Sequence, residues 1–342
     1  MKVFDHTLCV APMMAYTDRH FRYLLRIISQ QAVLYTEMVT AQAIIHGDIN
    51  YLLGFSDEEH PIALQLGGSN PFQLAEACKL ATDFHYDEIN LNVGCPSERV
   101  QSGCFGAALM KEPDLVAECV KAMQDSTAIP ITVKTRLGVD ECDSDDFLHE
   151  LIGKIAETGC TTFIMHARKA WLKGLSPKEN REIPPLEYDR VYRLKKCFPQ
   201  LKIIINGGIT DKKSIEAHLK FVDGVMLGRV VCSNPYFLNF PPLKKGGDIA
   251  PAMSGGFSLS REKIIFHYLP YILKEYSSGT PLRHMTRHLI GLYQGEPGAR
   301  AWRRLLSDAT VGDRQLLYLV QKRGREATCE PRDENNFFRD SC

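Results

Sequence analysis

The chain has 342 residues, of which 44% are hydrophobic and 24% are charged. This composition is typical of a globular protein and excludes a disordered or fibrous one, and the length favours one large domain with a smaller second one. The sequence contains no apolar run long enough to span a bilayer, and Asp5 interrupts the segment where a signal peptide needs its apolar stretch. We therefore expect a cytoplasmic protein that makes no membrane contact.

The chain contains 11 cysteines, an odd number without a secretory signal, which argues against a disulfide framework. No CxxC pair occurs, so no metal site is expected. Most of the cysteines should be small buried apolar residues.

Short apolar, β-branched runs recur through the first two-thirds of the chain and predict parallel strands buried on both faces. The runs are Leu8–Met13, Val33–Val39, Ile62–Leu66, Glu88–Val93, Ile131–Thr135, Thr162–His166, Lys202–Ile205 and Gly224–Leu227. Helical spacing lies between them, for example at Phe72–Phe84, Asp114–Gln124, Asp146–Thr158 and Lys213–Leu219. Eight such units predict the α/β class, with a closed TIM (β/α)8 barrel over residues 1–240.

The C-terminal third has a different character. Residues 241–258 are rich in Pro and Gly and predict a linker, whereas residues 259–325 carry only helical patterns, such as Ile264–Leu273, and predict an all-helical domain. The polar tail 326–342 is expected to be disordered. The formal net charge of the chain is zero, but residues 261–325 hold 12 Lys and Arg against 5 Asp and Glu. A basic module on a mildly acidic body is typical of a protein that binds a polyanion.

Five predicted strands end in polar side chains, at the end of a barrel that carries the active site. The five are Gln65, Asn92, Lys134, His166 and Asn206. A flavin ring needs an apolar bed, an amide for its pyrimidine edge and a cation where charge gathers on reduction, and Met13, Gln65 and Lys134 could supply these. Lys134 could instead form a rim salt bridge with an acid such as Glu37. His166 could be a core histidine whose hydrogen bonds are satisfied.

The segment NLNVGCP, from Asn90 to Pro96, brings Cys95 to the predicted catalytic rim. Gly94 permits a tight turn and Pro96 fixes the exit of the chain, so the thiol is expected on a loop over the barrel mouth. A buried structural cysteine is the alternative. The residues alone leave the chemistry of Cys95 open between a nucleophile and a general acid.

Two glycine-containing turns follow the last two predicted strands, where barrels frequently bind phosphate on backbone N–H groups. They are Asn206-Gly207-Gly208 and Gly228-Arg229. The guanidinium of Arg229 is also suited to phosphate. One such pair could be a simple turn, but two on adjacent strand ends favour a phosphate site.

A basic loop, RKAWLKGLSPKENR, follows the sixth predicted strand and contains Lys178, Arg181 and Trp171. Such a loop suits an RNA backbone and an unstacked base. Arg300 and Arg303, in the C-terminal third, are three residues apart and therefore share a helix face. An ordinary solvated surface is the alternative for the loop.

These segments together resemble tRNA-dihydrouridine synthases over nearly the whole chain, up to about Arg325. The segments are APMMAYTDRHFR (Ala11–Arg22), NLNVGCPSERVQSGCFGAALM (Asn90–Met110), VKTRLG (Val133–Gly138), HARKAWLKGLSPKENREIPPL (His166–Leu186), INGGI (Ile205–Ile209) and GLYQGEPGARAWRR (Gly291–Arg304). The KAWLKGLSP loop looks like the A-type subfamily, whose substrates are the D-loop uridines 20 and 20a of tRNA. The resemblance implies a TIM barrel that binds FMN, a helical domain that binds tRNA, reduction by NADPH and no obligatory protein partner.

The resemblance also implies roles for residues at matching positions. FMN contacts fall on Pro12, Met13, Gln65, Lys134, His166, Asn206, Gly207, Gly208, Gly228 and Arg229, proton donation on Cys95, contact with the target nucleotide on Asn92, and orientation of tRNA on Lys178, Arg181, Arg300 and Arg303. Arg99 stands where many members outside the subfamily carry Lys, so it is given no catalytic role. Glu88 stands where Asp is expected.

The implied reaction reduces uridine to 5,6-dihydrouridine. NADPH reduces FMN, the target uridine leaves the base stack, hydride passes to uracil C6 and Cys95 protonates C5. A flavin barrel that reduces a small molecule such as a free pyrimidine is one alternative, but it leaves the basic C-terminal helices without a use. A non-catalytic RNA-binding barrel is another, but it predicts no flavin and gives no reason for Cys95 at the rim.

Overall fold

The structure, a computed structural model, describes residues 5–98, 100, 103–241, 243 and 259–326. Parallel strands β1 to β8 pair in chain order and β8 pairs with β1, so the sheet closes into a barrel. The strands are β1 (Leu8–Val10), β2 (Val33–Thr40), β3 (Ile62–Gly67), β4 (Glu88–Val93), β5 (Ile131–Arg136), β6 (Thr162–His166), β7 (Lys202–Asn206) and β8 (Gly224–Leu227). The predicted TIM barrel is confirmed.

Helices follow the strands and cover the outside of the barrel. They are α1 (Arg19–Ile28), α2 (Ala41–His46), α3 (Ile49–Leu53), α4 (Pro71–Thr82), α5 (Pro113–Ser126), α6 (Asp145–Glu157), α7 (Tyr188–Cys197), α8 (Lys212–Leu219) and α9 (Arg229–Ser233). Several begin where a side chain accepts a hydrogen bond from a free N–H of the first turn, as Asp18, Ser144 and Asp211 do for α1, α6 and α8. The four helices predicted on the barrel differ from the observed ones by at most two residues at either end.

The barrel interior is divided between an apolar cluster and a polar region. The apolar cluster consists of Cys9, Ala11, Val33, Tyr35, Ala63, Ile164, Ile204 and Met226, with Met13 packed against it. Buried polar side chains from β3, β4 and β5 occupy the interior beside it, among them Gln65, Asn90 and Thr132. The outward-facing residues of the strands pack against the helices in the main core. Buried polar side chains destabilise the folded state unless their hydrogen bonds are satisfied.

The C-terminal helices pack against the barrel beside α1. They are α10 (Arg261–Ser277), α11 (Leu282–Thr286), α12 (Ala299–Ser307) and α13 (Asp313–Arg325). In α10, Tyr271 lies 2.8 Å from His20 Nδ1 and Tyr268 donates to the carbonyl of His20 at 3.0 Å. Arg287 and His288 form ion pairs with Asp18, and their hydrogen bonds outweigh the effect of burial and hold the pKa of that carboxyl well below its usual range. The expected helical region is therefore present.

The exact domain limits remain predictions. Most of the predicted linker, residues 241–258, and nearly all of the predicted tail, residues 326–342, lie outside the described residues, as does Arg99. In the part of the chain that the structure describes, no helix combines the length and apolarity needed to cross a membrane.

Candidate active site

A cavity of 830 Å³ opens at the carboxyl ends of the strands. It brings together almost every site residue predicted from the sequence. Those that line it are Pro12, Met13, Gln65, Asn92, Cys95, Lys134, His166, Lys178, Arg181, Asn206, Gly207, Gly208, Gly228 and Arg229. Arg300 and Arg303 are the two predicted residues that do not. The volume is within the range of cofactor and ligand sites in proteins.

Cys95 lies half-buried on the loop after β4 and faces this cavity. The side-chain oxygen of Asn92 accepts hydrogen bonds from the backbone N–H groups of Gly94, at 3.1 Å, and Cys95, at 2.9 Å. These bonds fold the chain into a tight turn that presents the thiol. The thiol is half-buried and lines the cavity, so the fully buried position of the alternative is wrong.

A second segment, which contains Gly106 and Ala107, packs against the Cys95 loop and holds it in place. The N–H of Ala107 donates to the carbonyl of Cys95 at 2.9 Å. Gly106, which precedes it, has φ +69°, and a Cβ atom there would stand 2.5 Å from that same carbonyl oxygen. Only glycine allows this approach, because any side chain would push the two segments apart.

Arg136 was not singled out by sequence reasoning, yet it links the two loops of the site. Its guanidinium is buried and donates to the carbonyl oxygens of Gly94 at 2.9 Å, Lys169 at 3.0 Å and Asn180 at 2.9 Å. The Cys95 loop and the basic loop are thus held to one another. The sequence could have indicated Arg136, because it lies two residues after Lys134 on one strand. Its side chain must therefore point to the same face of the sheet.

Lys134 projects into the same cavity and donates to the Asn206 amide oxygen at 3.0 Å. Burial, with the nearby charge of Arg136, lowers the pKa of Lys134 to about 7. The alternative of a salt bridge with Glu37 is wrong, because the Glu37 carboxylate accepts from the N–H of Ala15 and Lys134 forms no ion pair among the described residues. The site therefore holds a lysine that only a ligand with negative charge would fully compensate.

Replacing Lys134 with Met should stabilise the protein without cofactor. The pKa falls from 10.5 in the unfolded chain to about 7, so between these values the unfolded state binds a proton that the folded state does not. Wild-type stability therefore rises with pH across this window. At pH 7 the variant should gain about 2–4 kcal/mol in free energy of unfolding, and the gain should shrink towards pH 10. Denaturant titrations at several pH values measure it. Lys178→Met, at an exposed lysine of the same cavity, is the control, and an equal gain in both variants would contradict the assignment.

His166 is neutral in this site. Burial, followed by the charges of Arg136 and Lys134, holds its pKa well below the usual range. Its Nδ1 is buried and has no hydrogen-bond partner among the described residues. The alternative of a satisfied core histidine is wrong, since an unpaired buried nitrogen facing a cavity indicates a place for a ligand.

The two glycine-containing turns present unpaired backbone donors. Gly207 and Gly208 have φ +110° and +70°. Within the described residues no acceptor meets the N–H groups of these two glycines, of Gly228 or of Arg229, and all four residues line the cavity. Neighbouring N–H groups without protein acceptors are suited to binding an anion. The Arg229 guanidinium itself is exposed and pairs with Glu182 at 2.7 Å.

The basic loop is an ordered wall of the cavity. Asn180 is fully buried inside it, accepts from the N–H of Trp171 at 2.8 Å and donates to the Trp171 carbonyl at 2.9 Å. Lys178 and Arg181, on either side of Asn180, are exposed and line the cavity. Trp171 itself is half-buried, with the Lys169 ammonium 4.2 Å from its ring.

Arg300 and Arg303 lie on the exposed face of α12, as the spacing predicted. The helix is anchored by Trp302, whose indole donates to the carbonyl of Leu289 at 2.8 Å. Gly291, two residues after Leu289, lies so close to the carbonyl of Ser233 that a Cβ would stand 2.2 Å from the carbonyl oxygen. Ser233 lines the cavity, so the basic helix is tied to the cavity wall through a short run of contacts.

The fold and the site together define an enzyme of the TIM-barrel class. Its cavity stands at the carboxyl end of a closed barrel and is lined by a thiol, a half-buried lysine and two glycine-containing turns.

The dihydrouridine synthase (Dus) family model matches residues 9–328, so the chain belongs to this family. It is 56% identical to the tRNA-dihydrouridine(20/20a) synthase of Shewanella oneidensis over 309 residues, which cover 90% of each chain. Proteins of the same name from Synechocystis sp. and Escherichia coli K12 are 55% identical, over 89% of each chain in the first case and over 87% of this chain and 85% of the relative in the second. The family consists of flavin-dependent oxidoreductases, and the sequence-based expectation of such an enzyme is confirmed.

Proposed function

We propose that the protein reduces uridines 20 and 20a in the D-loop of tRNA to 5,6-dihydrouridine, with FMN as its cofactor and NADPH as reductant. The observation that carries the proposal is the position of the Cys95 thiol. The loop after β4, which is held by hydrogen bonds to Asn92 and Ala107, places it in the same cavity as the two glycine-containing turns. The names of the relatives supply the substrate and its two positions. Their high identity over nearly the whole chain supports the transfer.

The residues of the cavity fit FMN. The unpaired N–H groups of Gly207, Gly208, Gly228 and Arg229 suit its phosphate. Ala11 and Met226 of the apolar cluster, with Met13 packed against it, line the cavity and suit the flat ring system. Lys134, His166 and the second amide hydrogen of Gln65 suit its polar edge, since each lacks a full set of hydrogen-bond partners among the described residues. When bound, FMN supplies the hydride that reaches C6 of uracil.

Cys95 is the proposed general acid. A thiol can donate its proton to C5 of the uracil ring, where negative charge develops as C6 is reduced. The hydrogen bonds from Gly94 and Cys95 to Asn92 keep the loop in place during this step. One hydride at C6 and one proton at C5 complete the reduction of the double bond.

Asn92 is proposed to contact the base directly. Its oxygen already accepts two backbone hydrogen bonds, and one of its amide hydrogens is given to Gln65 at 2.9 Å. The second amide hydrogen has no acceptor among the described residues, so Asn92 can only donate to a ligand. A uracil carbonyl oxygen accepts such a bond, whereas the amino group of cytosine does not. The base must leave its stack to reach this depth.

The tRNA backbone is proposed to lie across Lys178, Arg181, Arg300 and Arg303. The first pair stands at the cavity mouth and the second on the exposed face of α12. Phosphate contacts of this kind set register and orientation. We also place the enzyme in the cytoplasm, because all nine described cysteines are free, as in a reducing compartment.

Replacing Gly208 with Ala should weaken FMN binding about tenfold or more. Gly208 has φ +70°, which strains any other residue, and the new Cβ would stand 2.4 Å from Leu186 and 2.8 Å from the Tyr188 hydroxyl, which donates to the carbonyl of Gly207. The turn loses its fit to these side chains, and its N–H groups should be displaced. Gly174→Ala is the matched control, since Gly174 also has positive φ, at +80°, but its Cβ would meet no atom within 4 Å. Fluorescence titration of the cofactor-free proteins with FMN measures both. Equal affinities in the two variants would argue against a phosphate site at this turn.

The proposed function is tested by incubating the purified protein with unmodified tRNA and NADPH, followed by nucleoside mass spectrometry and mapping of the modified position. We expect a yellow protein with one FMN per chain and dihydrouridine at positions 20 and 20a. A colourless protein that cannot be reconstituted would favour a non-catalytic RNA-binding barrel. A flavoprotein that does not retard tRNA in a gel and reduces free pyrimidines would favour the small-molecule alternative.

A further inference from the structure

A buried carboxylate lies deep in the barrel, at the start of β4. Glu88 is 1% exposed, and one of its oxygens accepts from the Tyr35 hydroxyl at 2.6 Å and from the Thr132 hydroxyl at 2.7 Å. Its other oxygen lies 2.5 Å from His6 Nε2. Burial opposes ionisation, but these hydrogen bonds outweigh it and lower the pKa of Glu88. The group is therefore an anion that can only accept hydrogen bonds.

A chain of side-chain hydrogen bonds connects Glu88 to Asn92 in the active site. The Thr132 hydroxyl accepts from the Asn90 amide at 2.8 Å, and the Asn90 oxygen accepts from the Gln65 amide at 2.8 Å. Above them, the Gln65 oxygen accepts from Asn92 at 2.9 Å. None of the side chains of Gln65, Glu88, Asn90 and Thr132 is more than 2% exposed. We call these five residues, from Glu88 to Asn92, the relay.

Both ends of the relay require the same direction of donation. At the lower end, a carboxylate can only accept. At the upper end, the backbone N–H groups of Gly94 and Cys95 can only donate, and both donate to Asn92. Every amide and hydroxyl between the two ends must therefore donate towards Glu88. None of these groups can reverse its orientation without breaking two buried hydrogen bonds. An amide in water has no such fixed orientation.

We propose that Glu88 and Thr132 are positioning residues, which hold the Asn92 amide and the Cys95 loop in the reactive arrangement through the relay. The proposal rests on the proposed function for the meaning of that arrangement. It explains why an ionised carboxylate is kept inside the barrel, where it touches neither the cavity nor solvent. Neither residue contacts substrate or cofactor, and both act through Asn92.

The structure offers a matched pair of variants for the test. Thr132→Val removes the hydroxyl that joins Asn90 to Glu88 and cuts the relay. Tyr35→Phe removes a hydroxyl that donates to the same Glu88 oxygen but lies outside the relay. Both side chains are buried, so both variants should lose thermal stability. Thr132→Ser keeps the hydroxyl and should restore wild-type behaviour.

Two readouts are needed, one of them independent of activity. The first is hydrogen exchange of the Gly94 and Cys95 amides, measured on the protein without tRNA. We expect faster exchange at these amides in Thr132→Val and wild-type exchange in Tyr35→Phe. The second is kcat for dihydrouridine formation, which we expect to fall roughly ten- to a hundredfold in Thr132→Val, with KM for tRNA and FMN content little changed. Thr132→Ala replaces Thr132→Val if the latter does not fold.

The outcomes separate this proposal from the proposed function. If the wild type makes no dihydrouridine, the proposed function fails, while the exchange data still decide whether the relay holds the loop. If the wild type is active and Thr132→Val matches Tyr35→Phe in both exchange and kcat, the relay does not position the site. Loss confined to thermal stability in both variants would likewise overturn the proposal. Changes in exchange and kcat confined to Thr132→Val and repaired by Thr132→Ser support it.

Discussion

Replacing Cys95 with Ala should lower dihydrouridine formation about 100- to 10,000-fold, which corresponds to about 3–5 kcal/mol of transition-state stabilisation. The Cys95 thiol lines the cavity and carries a hydrogen that it can donate, whereas the methyl group of Ala cannot donate a proton. FMN binding and NADPH oxidation should be unchanged, because the N–H groups proposed to bind the phosphate belong to the turns after β7 and β8 and not to this loop. Single-turnover reduction of tRNA, flavin content and NADPH oxidation in air measure the three properties.

Two variants sharpen this test. Cys95→Ser should also be strongly impaired, because a hydroxyl is a much weaker acid than a thiol. Cys104→Ala removes an exposed thiol from the same stretch of chain and should be near wild type. Turnover of Cys95→Ala within a fewfold of wild type would remove this residue from the mechanism. A general fall in both cysteine-to-alanine variants would point to disruption of the loop instead.

Replacing Lys178, Arg181, Arg300 and Arg303 together with Ala should weaken tRNA binding roughly 100- to 1,000-fold near physiological salt. Each phosphate contact contributes about 0.7–0.9 to the slope of log affinity against log salt, so the slope should become shallower by about 3. Reduction of the flavin by NADPH should not change. Titration of both proteins with tRNA at several salt concentrations gives affinity and slope together.

The control variant removes four positive charges from a different face of the protein. Lys79, Lys121, Lys196 and Lys220 are exposed on or just after the outer helices α4, α5, α7 and α8. Three of them stand at helix C-terminal ends, which in a barrel of parallel strands lie at the end opposite the cavity. Their fourfold Ala variant should keep the wild-type affinity and nearly the wild-type slope. Equal losses in the two fourfold variants would indicate a general effect of net charge and no defined tRNA surface.

The sequence alone determined the barrel and most of the polar residues of the cavity wall. Parallel strands covered on both faces must be continuous apolar runs, so β4, β6 and β8 could be located to the residue, and the polar groups that end such runs must meet at one rim. Cys95 was placed correctly for the same reason, because a Gly and a Pro around a strand-end cysteine are local signals. Helix starts were within one residue, since capping and periodicity are also local.

Only the tertiary structure decided which side chains meet. The sequence offered Glu37 as a protein partner of Lys134, but in the barrel Lys134 donates to Asn206 and Glu37 accepts from Ala15. The three carbonyls bound by Arg136, and the relay from Glu88 to Asn92, join residues on different strands and loops. Such pairings depend on how the sheet closes and staggers, which no periodicity encodes. The unpaired N–H groups of the anion site are equally invisible in sequence, because a backbone donor is free only when the fold leaves no acceptor within its reach.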